Sequence, residues 1–273
     1  MILDYCSLQE AVAQSRAAAS AVAVGENRIL CRALGRFLMF ADERDISYMP
    51  YLAMDGMYEP HLVDLLCQCI KPGMAVADIG ACFGFTSLLA GALVGDRGAV
   101  YAFEPNSRAF HILKQNVEMN DMREVIRFYP LAIGEAVGDR EIMFHKRRFD
   151  ASTMAEKAML AMRSEDKRTV KTCSLSYTMA QCGASPDFYI ISTSGYEPQV
   201  FQGMQQLLNA KRKISMLMAF TPRWYEDPAA FGASIIDNGF VVNRVARDGT
   251  VEPLIDPDQF RHPMGRSDLL LTR

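Results

Sequence analysis

Apolar side chains recur at helical spacing through the first part of the chain, from about residue 8 to residue 30, with Gly25 as a break. A further helix is predicted from Pro60 to Ile70, because proline favours the first helical turn and the following Pro72-Gly73 stops a helix. We therefore expect residues 1–40 to be helical and residues 1–70 to form an N-terminal helical cap.

Short apolar runs alternate with longer amphipathic segments from residue 75 onward. Strands alternating with helices predict right-handed βαβ units and a parallel sheet, so the fold class is α/β. The predicted strands are 75–79, 100–104, 125–129, 187–191 and 214–220, and the predicted helices are 85–94, 107–120, 198–208 and 228–238. Residues 240–245 and 268–272 are expected to close the sheet, with the last strand antiparallel.

The alternation is interrupted after the third predicted strand, between about residues 138 and 176. Residues 141–144 and 170–173 are predicted strands of an insertion. The polar segment between them, residues 147–168, is predicted to be mobile, because loops of this length are uncommon unless they are functional or disordered. Its position makes it a candidate lid over an acceptor site.

Composition excludes several classes of protein. The chain has 273 residues, half of them hydrophobic, and a net charge of −3, so its two short basic stretches, residues 145–148 and 211–213, favour no nucleic-acid partner. The apolar run of residues 17–24 is too short to span a membrane. Seven cysteines, Cys6 among them, have no disulfide or zinc spacing, which favours reduced thiols and a cytoplasmic location.

An acid near the end of the first strand of the alternating region precedes two glycines, in the segment Asp78-Ile79-Gly80-Ala81-Cys82-Phe83-Gly84. Glycines let the backbone turn sharply and let a ligand lie against it. The following helix N-terminus offers free N–H groups. The next strand ends at Glu104, 104 − 80 = 24 residues after Gly80. An acid at this offset commonly accepts hydrogen bonds from both ribose hydroxyls of a nucleoside cofactor.

The residues of this loop distinguish between nucleoside cofactors. The loop matches neither the Gly-x-Gly-x-x-Gly dinucleotide fingerprint nor the phosphate-binding P-loop. Asp78 would repel a diphosphate, whereas it suits a ligand that carries an amino group and a sulfonium. This charge argument favours S-adenosylmethionine, and an NAD-linked enzyme on a similar sheet is the alternative.

Further segments accompany the glycine loop: Phe103-Glu104-Pro105, Leu113-Lys114-Gln115-Asn116 with Asn120, and Leu131-Ala132-Ile133-Gly134. Together they resemble the FkbM-type family of class I S-adenosylmethionine-dependent methyltransferases, many of which methylate hydroxyls of glycans and natural products. The resemblance covers about residues 45–245. It implies a Rossmann-like sheet in a methyltransferase domain of residues 71–273.

The resemblance also implies the roles of individual residues. The implied cofactor-binding residues are Asp78, Gly80, Ala81, Gly84, Phe103, Glu104, Pro105, Asn106 and Ala132. The first three would line the methionine moiety, Glu104 would hold the ribose, and the residues from Pro105 onward would contact the adenosine. Tyr58 is a candidate for closing over the methionine end, because an aromatic face attracts a sulfonium cation, with core packing as the alternative.

One segment departs from the family pattern. Where the family has Lys-Ile-Asp-Val-Glu-Gly, this chain has Ile190-Ile191-Ser192-Thr193-Ser194-Gly195. Both acids are replaced by serine at the carboxyl end of the fourth strand. Two serines neither act unaided as a general base at neutral pH nor readily hold a divalent metal, so no metal is expected.

The residue that activates the acceptor is therefore left open among Glu59, His145, Ser192 and Glu197. The two glutamates each follow a tyrosine near the expected pocket mouth, although each also suits a helix N-terminus. His145 lies at the start of the insertion, where a lid could carry it to the acceptor, and Ser192 follows the fourth strand. The other histidines, His61, His111 and His262, are further candidates.

The predicted function is metal-independent O-methylation of a hydroxyl on a sugar, glycan or natural-product acceptor. Trp224 and Tyr225 follow the fifth strand and are candidates for shaping the acceptor pocket, with core packing as the alternative. The replacement of both family acids keeps a second function open, a cofactor-binding homologue without catalysis. The apolar N-terminal segment is a candidate for pairing two chains into a homodimer.

Overall fold

The computed structural model describes residues 8–161, 165–210, 213–254, 256, 259–260 and 266–273. Cys6, His262 and the first two residues of the basic stretch 211–213 lie outside these described residues. Within them the chain forms one eight-stranded sheet with helices on both faces and two three-stranded sheets.

The N-terminal region combines helices with a small antiparallel sheet. Its elements are α1 (Leu8–Ala18), β1 (Ala21–Gly25), β2 (Arg28–Ala33), β3 (Phe37–Asp42), α2 (Met49–Asp55) and α3 (Pro60–Cys69). The prediction of a helical cap is therefore wrong for residues 21–42. Gly25, Glu26 and Asn27 all have positive φ and form a hairpin turn, and β3 alternates more and less buried side chains. The apolar residues thus follow the period of a strand.

The first half of the central sheet follows the predicted alternation. Its elements are β4 (Ala75–Ile79), α4 (Phe85–Val94), β5 (Ala99–Phe103), α5 (Ser107–Met119) and β6 (Ile126–Tyr129). The three strands are parallel, with Ile79 of β4 level with Phe103 of β5. The glycine loop and Glu104 consequently begin at the same edge of the sheet.

The insertion forms a separate sheet of β7 (Ala132–Gly134), β8 (Gly138–His145) and β9 (Glu165–Ser174), in the order β7-β9-β8. The two predicted strands of the insertion lie within β8 and β9, as expected. Between them, α6 (Glu156–Ala161) follows a 3₁₀ turn at Phe149–Ala151. We call residues 147–161 the lid.

The second half of the sheet contains α7 (Leu175–Gln181), β10 (Phe188–Ile191), α8 (Glu197–Gln202), α9 (Gln205–Leu208), β11 (Ser215–Phe220), α10 (Pro228–Asp237), β12 (Val241–Val245), β13 (Val251–Leu254) and β14 (Ser267–Thr272). The strand order is β13-β12-β14-β11-β10-β4-β5-β6, parallel from β11 to β6 and antiparallel at β14 and beyond. The predicted Rossmann-like α/β sheet with an antiparallel last strand is confirmed. Its chain order reverses between β4 and β10, which is where open α/β sheets bind ligands.

Two asparagines of α5 attach the N-terminal sheet to the central one. The Asn116 side chain accepts a hydrogen bond from the Phe40 N–H at 2.7 Å and donates to the carbonyls of Phe40 and Phe83. Asn120 makes the same pair of bonds with Leu38. The two amides therefore pair with the free edge of β3 and link it to the glycine loop, which gives these asparagines a structural role.

Among the described residues, no helix is long and apolar enough to cross a membrane. The segment expected to pair two chains as helices is largely the β1–β3 sheet, and Val22 and Val24 of β1 are exposed. The homodimer stays a prediction.

Candidate active site

The loop between β4 and α4 turns over the carboxyl ends of three strands. Gly80 and Gly84 have φ of 87° and 89°, and Cys82 between them has φ of 50°. The N–H groups of Gly80 and Ala81 both donate to the Phe103 carbonyl at 3.0 Å, which holds the loop against β5. A Cβ on Gly80 would overlap the Ser192 carbonyl oxygen, so glycine is required here for conformation and for space.

Replacement of Gly80 by alanine is expected to destabilise the fold by about 3 kcal/mol, because the left-handed backbone and the overlap with Ser192 both oppose a side chain. Gly73 is a matched control, since its φ is 84° and its Cβ would meet nothing within 4 Å. Gly73→Ala should cost about 1 kcal/mol, from backbone strain alone. Urea unfolding of both variants measures the difference, and equal losses would show that the close approach of the loop to Ser192 is absent.

Asp78 is a buried acid at the end of β4, beneath the glycine loop. Its carboxylate accepts hydrogen bonds from the hydroxyls of Thr86 at 2.7 Å and Ser87 at 2.6 Å, in the first turn of α4. Burial raises the pKa of Asp78 to about 6, although these two hydrogen bonds act in the opposite direction. These hydrogen bonds hold the carboxylate in one orientation. A cationic ligand beside it would stabilise its charged form.

Glu104 is a second buried acid, one strand away at the end of β5. Its carboxylate accepts hydrogen bonds from the N–H groups of Cys82 at 2.9 Å and Asn106 at 2.7 Å. Burial raises the pKa of Glu104 to about 7, while the two backbone bonds lower it. These contacts tie the glycine loop to β5 and fix the carboxylate at the wall of a cavity.

The inner cavity lies between these strand ends and the lid. Its lining includes Gly80, Glu104, Pro105, Ala132, Ile142, Phe149 and Ser192. Apolar side chains surround one end, and Glu104 supplies a fixed acceptor beside them. An elongated nucleoside fits this distribution, with its base among the apolar residues and its sugar at the carboxylate.

Two further hollows continue from the inner cavity. The side recess is lined by Tyr58, Glu59, Asp78, Gly80, Thr86 and Ser192. The outer chamber, of about 1110 Å³ including open space, is lined by His145, Arg148, Asp150, Ser192, Thr221, Arg223, Trp224 and Arg266. Ser192 borders all three hollows. The structure therefore gathers the glycine loop, both buried acids and the lid around one strand end.

The remaining residues of the predicted cofactor set lie in and around this cleft. Phe103 lines the inner cavity and stacks on Tyr129, and Tyr58 lies in the side recess against the ring of Tyr48. Ala81 and Gly84 shape the loop through their backbones. The Asn106 side chain accepts hydrogen bonds from the first N–H groups of α5 and is the cap of that helix. Only its backbone N–H is directed to Glu104.

Three of the four residues predicted to activate an acceptor have other roles in the structure. Glu197 is buried, and its carboxylate accepts hydrogen bonds from the N–H groups of Thr193 and Gly195 and from the Tyr225 hydroxyl. Burial raises the pKa of Glu197. Its hydrogen bonds hold the loop after β10 in place. Its prediction as a pocket base is wrong, since a helix N-terminal glutamate here folds back onto its own loop.

Glu59 lies in the side recess but is paired with Arg266 at 2.9 Å. Burial raises the pKa of Glu59, and the Arg266 guanidinium counteracts that effect. The carboxylate borders the end expected for the methionine moiety and not the outer chamber. Its role as acceptor base therefore loses support, and the ion pair indicates that it positions Arg266.

His145 lines the outer chamber, but its Nδ1 accepts hydrogen bonds from the N–H groups of Arg147 at 3.1 Å and Arg148 at 2.9 Å. Burial and the nearby Arg148 lower the pKa of His145. A neutral imidazole that accepts at Nδ1 carries its proton on Nε2. His145 consequently offers a donor to the chamber, and its predicted role as the base does not follow from this geometry.

An acid of the lid borders the cleft in addition to the residues predicted from the sequence. Asp150 borders both the inner cavity and the outer chamber, and its carboxylate is paired with Arg148 at 2.9 Å. The Ser194 hydroxyl donates to the Asp150 carbonyl, which brings the lid against the loop after β10. Sequence reasoning missed Asp150, because it lies in a polar segment without periodicity, 44 residues from Ser194.

The lid is attached to the N-terminal region as well. The Phe149 N–H donates to the buried Asp45 carboxylate at 3.2 Å, and the Ile46 N–H donates to the Arg147 carbonyl at 2.8 Å. The Phe149 ring lies 5.0 Å from that of Phe83 and covers the inner cavity. The lid thus closes the cleft from above.

Class I methyltransferases share a parallel sheet, a glycine loop at its switch point and an acid at the end of the next strand, all of which this chain has. The sequence model described as Methyltransferase FkbM domain matches residues 78–241, more than half of the chain. The protein belongs to the FkbM methyltransferase family. It is an S-adenosylmethionine-dependent methyltransferase by family, and its cofactor is S-adenosylmethionine rather than NAD.

Comparison with solved structures gives distant similarities. The precorrin-6y C5,15-methyltransferase of Geobacter metallireducens is 11% identical, with 79% of this chain and 87% of that chain covered and a TM-score of 0.44. The O-methyltransferase of Bacillus cereus in complex with SAH is 12% identical, with 78% of each chain covered and a TM-score of 0.44. Comparison with curated protein sequences gives no significant match.

The cleft fits this cofactor on its own geometry. Gly80 leaves the space that a Cβ would fill, and Glu104 presents a buried carboxylate to the inner cavity. Asp78 supplies negative charge beside the recess, which suits the positive charges of S-adenosylmethionine.

Affinity for S-adenosylmethionine is expected to rise with pH between about pH 5 and about pH 8. The pKa values of about 6 for Asp78 and about 7 for Glu104 mean that both acids bind protons in this range. The cationic cofactor and its ribose hydroxyls favour the ionised forms, so binding weakens as the pH falls through these values. Calorimetric titrations across the range measure the slope. In Glu104→Gln the pH dependence of the affinity should decrease to the contribution of Asp78. A wild-type affinity that does not change with pH would contradict the assignment of these two acids to the cofactor site.

Proposed function

We propose that the protein transfers the methyl group of S-adenosylmethionine to a hydroxyl oxygen of a sugar, glycan or natural-product acceptor without a metal ion. One observation carries this proposal: Asp150 borders both the inner cavity and the outer chamber. A hydroxyl must lose its proton as it takes up a methyl group, and a carboxylate at this junction can accept that proton.

The shape of the cleft supports an assignment of the residues that would hold the cofactor. Gly80 and Ala81 would receive the methionine moiety in the side recess, near the charge of Asp78. Glu104 would accept hydrogen bonds from the ribose hydroxyls, and Ala132 would border the adenine in the inner cavity. When bound, S-adenosylmethionine supplies an electrophilic methyl group on a sulfonium.

Asp150 performs the proton transfer in this proposal, and two contacts position it. Arg148 orients its carboxylate, and the Ser194 hydroxyl holds its backbone carbonyl. The family pattern places acids at positions 192 and 194, where this chain has serines. We propose that the lid supplies the carboxylate that the strand end lacks, and that Ser192 contributes its small size at the centre of the cleft.

The lid also restricts water. The Phe149 ring covers the inner cavity between Phe83 and the Arg108 guanidinium, which lies 5.5 Å from its centroid. Exclusion of water strengthens electrostatic interactions within the cleft and favours transfer to the acceptor over hydrolysis. Orientation of the acceptor oxygen by the protein supplies the remaining advantage.

A methyl-transfer assay with labelled S-adenosylmethionine tests the proposal. Matched acceptors that differ only in a hydroxyl, an amine or a thiol should give label in the hydroxyl series, and a chelator should not reduce the yield. Transfer to the amine series alone would overturn the hydroxyl assignment, and loss of activity on chelation would overturn the metal-independent mechanism.

A second function is favoured by the serines at positions 192 and 194, namely cofactor binding without catalysis. It predicts tight binding of S-adenosylhomocysteine together with no transfer to any acceptor of the panel. Transfer that depends on Asp150 would exclude it.

A further inference from the structure

Arg223 is a cation on the wall of the outer chamber without a carboxylate partner in the described part of the chain. It follows β11 in the 3₁₀ turn Pro222–Trp224, and its side chain is exposed. Its guanidinium lies over the Trp224 ring, 4.6 Å from the centroid. Stacking on an aromatic face leaves the N–H groups at the rim of a guanidinium free to bind a ligand.

The other arginines of the chamber are already paired. Arg148 faces Asp150 at 2.9 Å. Arg266 faces Glu59 at 2.9 Å and Asp268 at 3.8 Å. These acids compensate the charge of both guanidiniums, so Arg223 is the cation that a ligand in the chamber would meet uncompensated among the described residues.

The turn that carries Arg223 is fixed on two sides. Lys157 of α6 donates a hydrogen bond to the Tyr225 carbonyl at 2.8 Å. The backbone of Gly195 packs against Trp224, since a Cβ on Gly195 would lie 2.8 Å from the Trp224 Cβ. The guanidinium therefore rests on a ring that the lid and the loop after β10 hold in place.

A second donor borders the same chamber. The Nδ1 of His145 is occupied by two backbone N–H groups, which leaves Nε2–H as the donor of the neutral ring. The chamber thus presents a free guanidinium and an imidazole N–H. Both groups donate hydrogen bonds, as recognition of an anion requires.

We infer that the acceptor carries an anionic group, a carboxylate or a phosphate, which binds Arg223 in the outer chamber; this inference rests on the proposed function. Arg223 belongs to the outer chamber and not to the described lining of the inner cavity or the side recess, so its ligand is the acceptor and not the cofactor. Without its open space the chamber measures about 390 Å³, which accommodates a sugar acid or a sugar phosphate.

Calorimetry on the protein saturated with S-adenosylhomocysteine tests this inference with three probes: glucuronate, glucose 6-phosphate and glucose. At least one anionic probe should bind more tightly than glucose, and added salt should weaken that preference. Arg223→Gln should weaken the preferred anionic probe about tenfold and leave glucose unchanged. Arg223→Lys should retain part of the preference, because it keeps the charge but loses the planar donors.

Comparison of the affinities for glucuronate and glucose 6-phosphate shows whether the chamber prefers a carboxylate or a phosphate. Equal binding of all three probes, or a preference that Arg223→Gln retains, overturns the inference. The affinity for S-adenosylhomocysteine and the methyl-transfer assay are measured on the same variants. These two measurements test the proposed function separately. If neutral hydroxyl acceptors are methylated as well as anionic ones, the proposed function stands and the inference about Arg223 fails.

Discussion

Asp150→Asn is expected to lower kcat for methyl transfer by about a hundred- to a thousandfold, because the amide keeps the shape of the side chain but cannot accept the acceptor's proton. The variant should bind S-adenosylhomocysteine with the wild-type affinity, since the proposed contacts with the cofactor are made by Asp78, Gly80 and Glu104. Steady-state rates with an acceptor found in the labelled-methyl assay measure the effect. The loss should fall on kcat and not on KM.

Asp166→Asn is the matched control, since Asp166 is another acid of the insertion that pairs with an arginine, Arg168, at the surface. It should leave kcat unchanged. An Asp150→Asn enzyme with wild-type kcat would remove Asp150 from the chemistry. A parallel loss of cofactor affinity and thermal stability would instead assign it to holding the lid.

Glu104→Ala is expected to weaken binding of S-adenosylhomocysteine by about a hundredfold or more, because it removes the acceptor for the ribose and for two backbone N–H groups. Glu104→Gln keeps an acceptor oxygen without the charge and should weaken binding by about tenfold. Isothermal calorimetry gives both affinities.

Glu118→Ala is the control for the removal of a glutamate, since Glu118 lies on the outer face of α5 in exposed ion pairs. Its affinity for S-adenosylhomocysteine should match the wild type. A Glu104→Ala protein that is folded and binds as tightly as this control would show that the ribose is held elsewhere.

The central sheet could be predicted because its signals are local. Apolar runs such as residues 75–79 and 187–191 are buried strands, and Pro228 and Gly239 mark the limits of a helix. The N-terminal sheet is wrongly predicted as helix because its local signals are weak. Its alternating pattern is short. Its turn places Glu26 and Asn27 at positive φ, where an Asn-Gly or Asp-Gly pair would be the usual signal of a hairpin.

Some residues of the candidate site could likewise be predicted from local patterns, and others could not. Asp78, Gly80 and Glu104 lie at or just after the ends of strands of a parallel sheet, so their meeting at one edge could be deduced from the alternation alone. Arg223 also follows a strand of this sheet. Asp150 reaches the cleft through contacts between distant segments, which no local pattern encodes. Glu197 carried a signal for a helix N-terminus, and the structure shows that this structural role is the one it has.

The most direct test is a crystal structure of the protein with S-adenosylhomocysteine. The account predicts that both ribose hydroxyls lie within hydrogen-bonding distance of Glu104, that the aminoacyl tail lies against Gly80, and that the sulfur points toward Asp150. Electron density for the ligand outside this cleft, or a ribose that contacts no carboxylate, would contradict it.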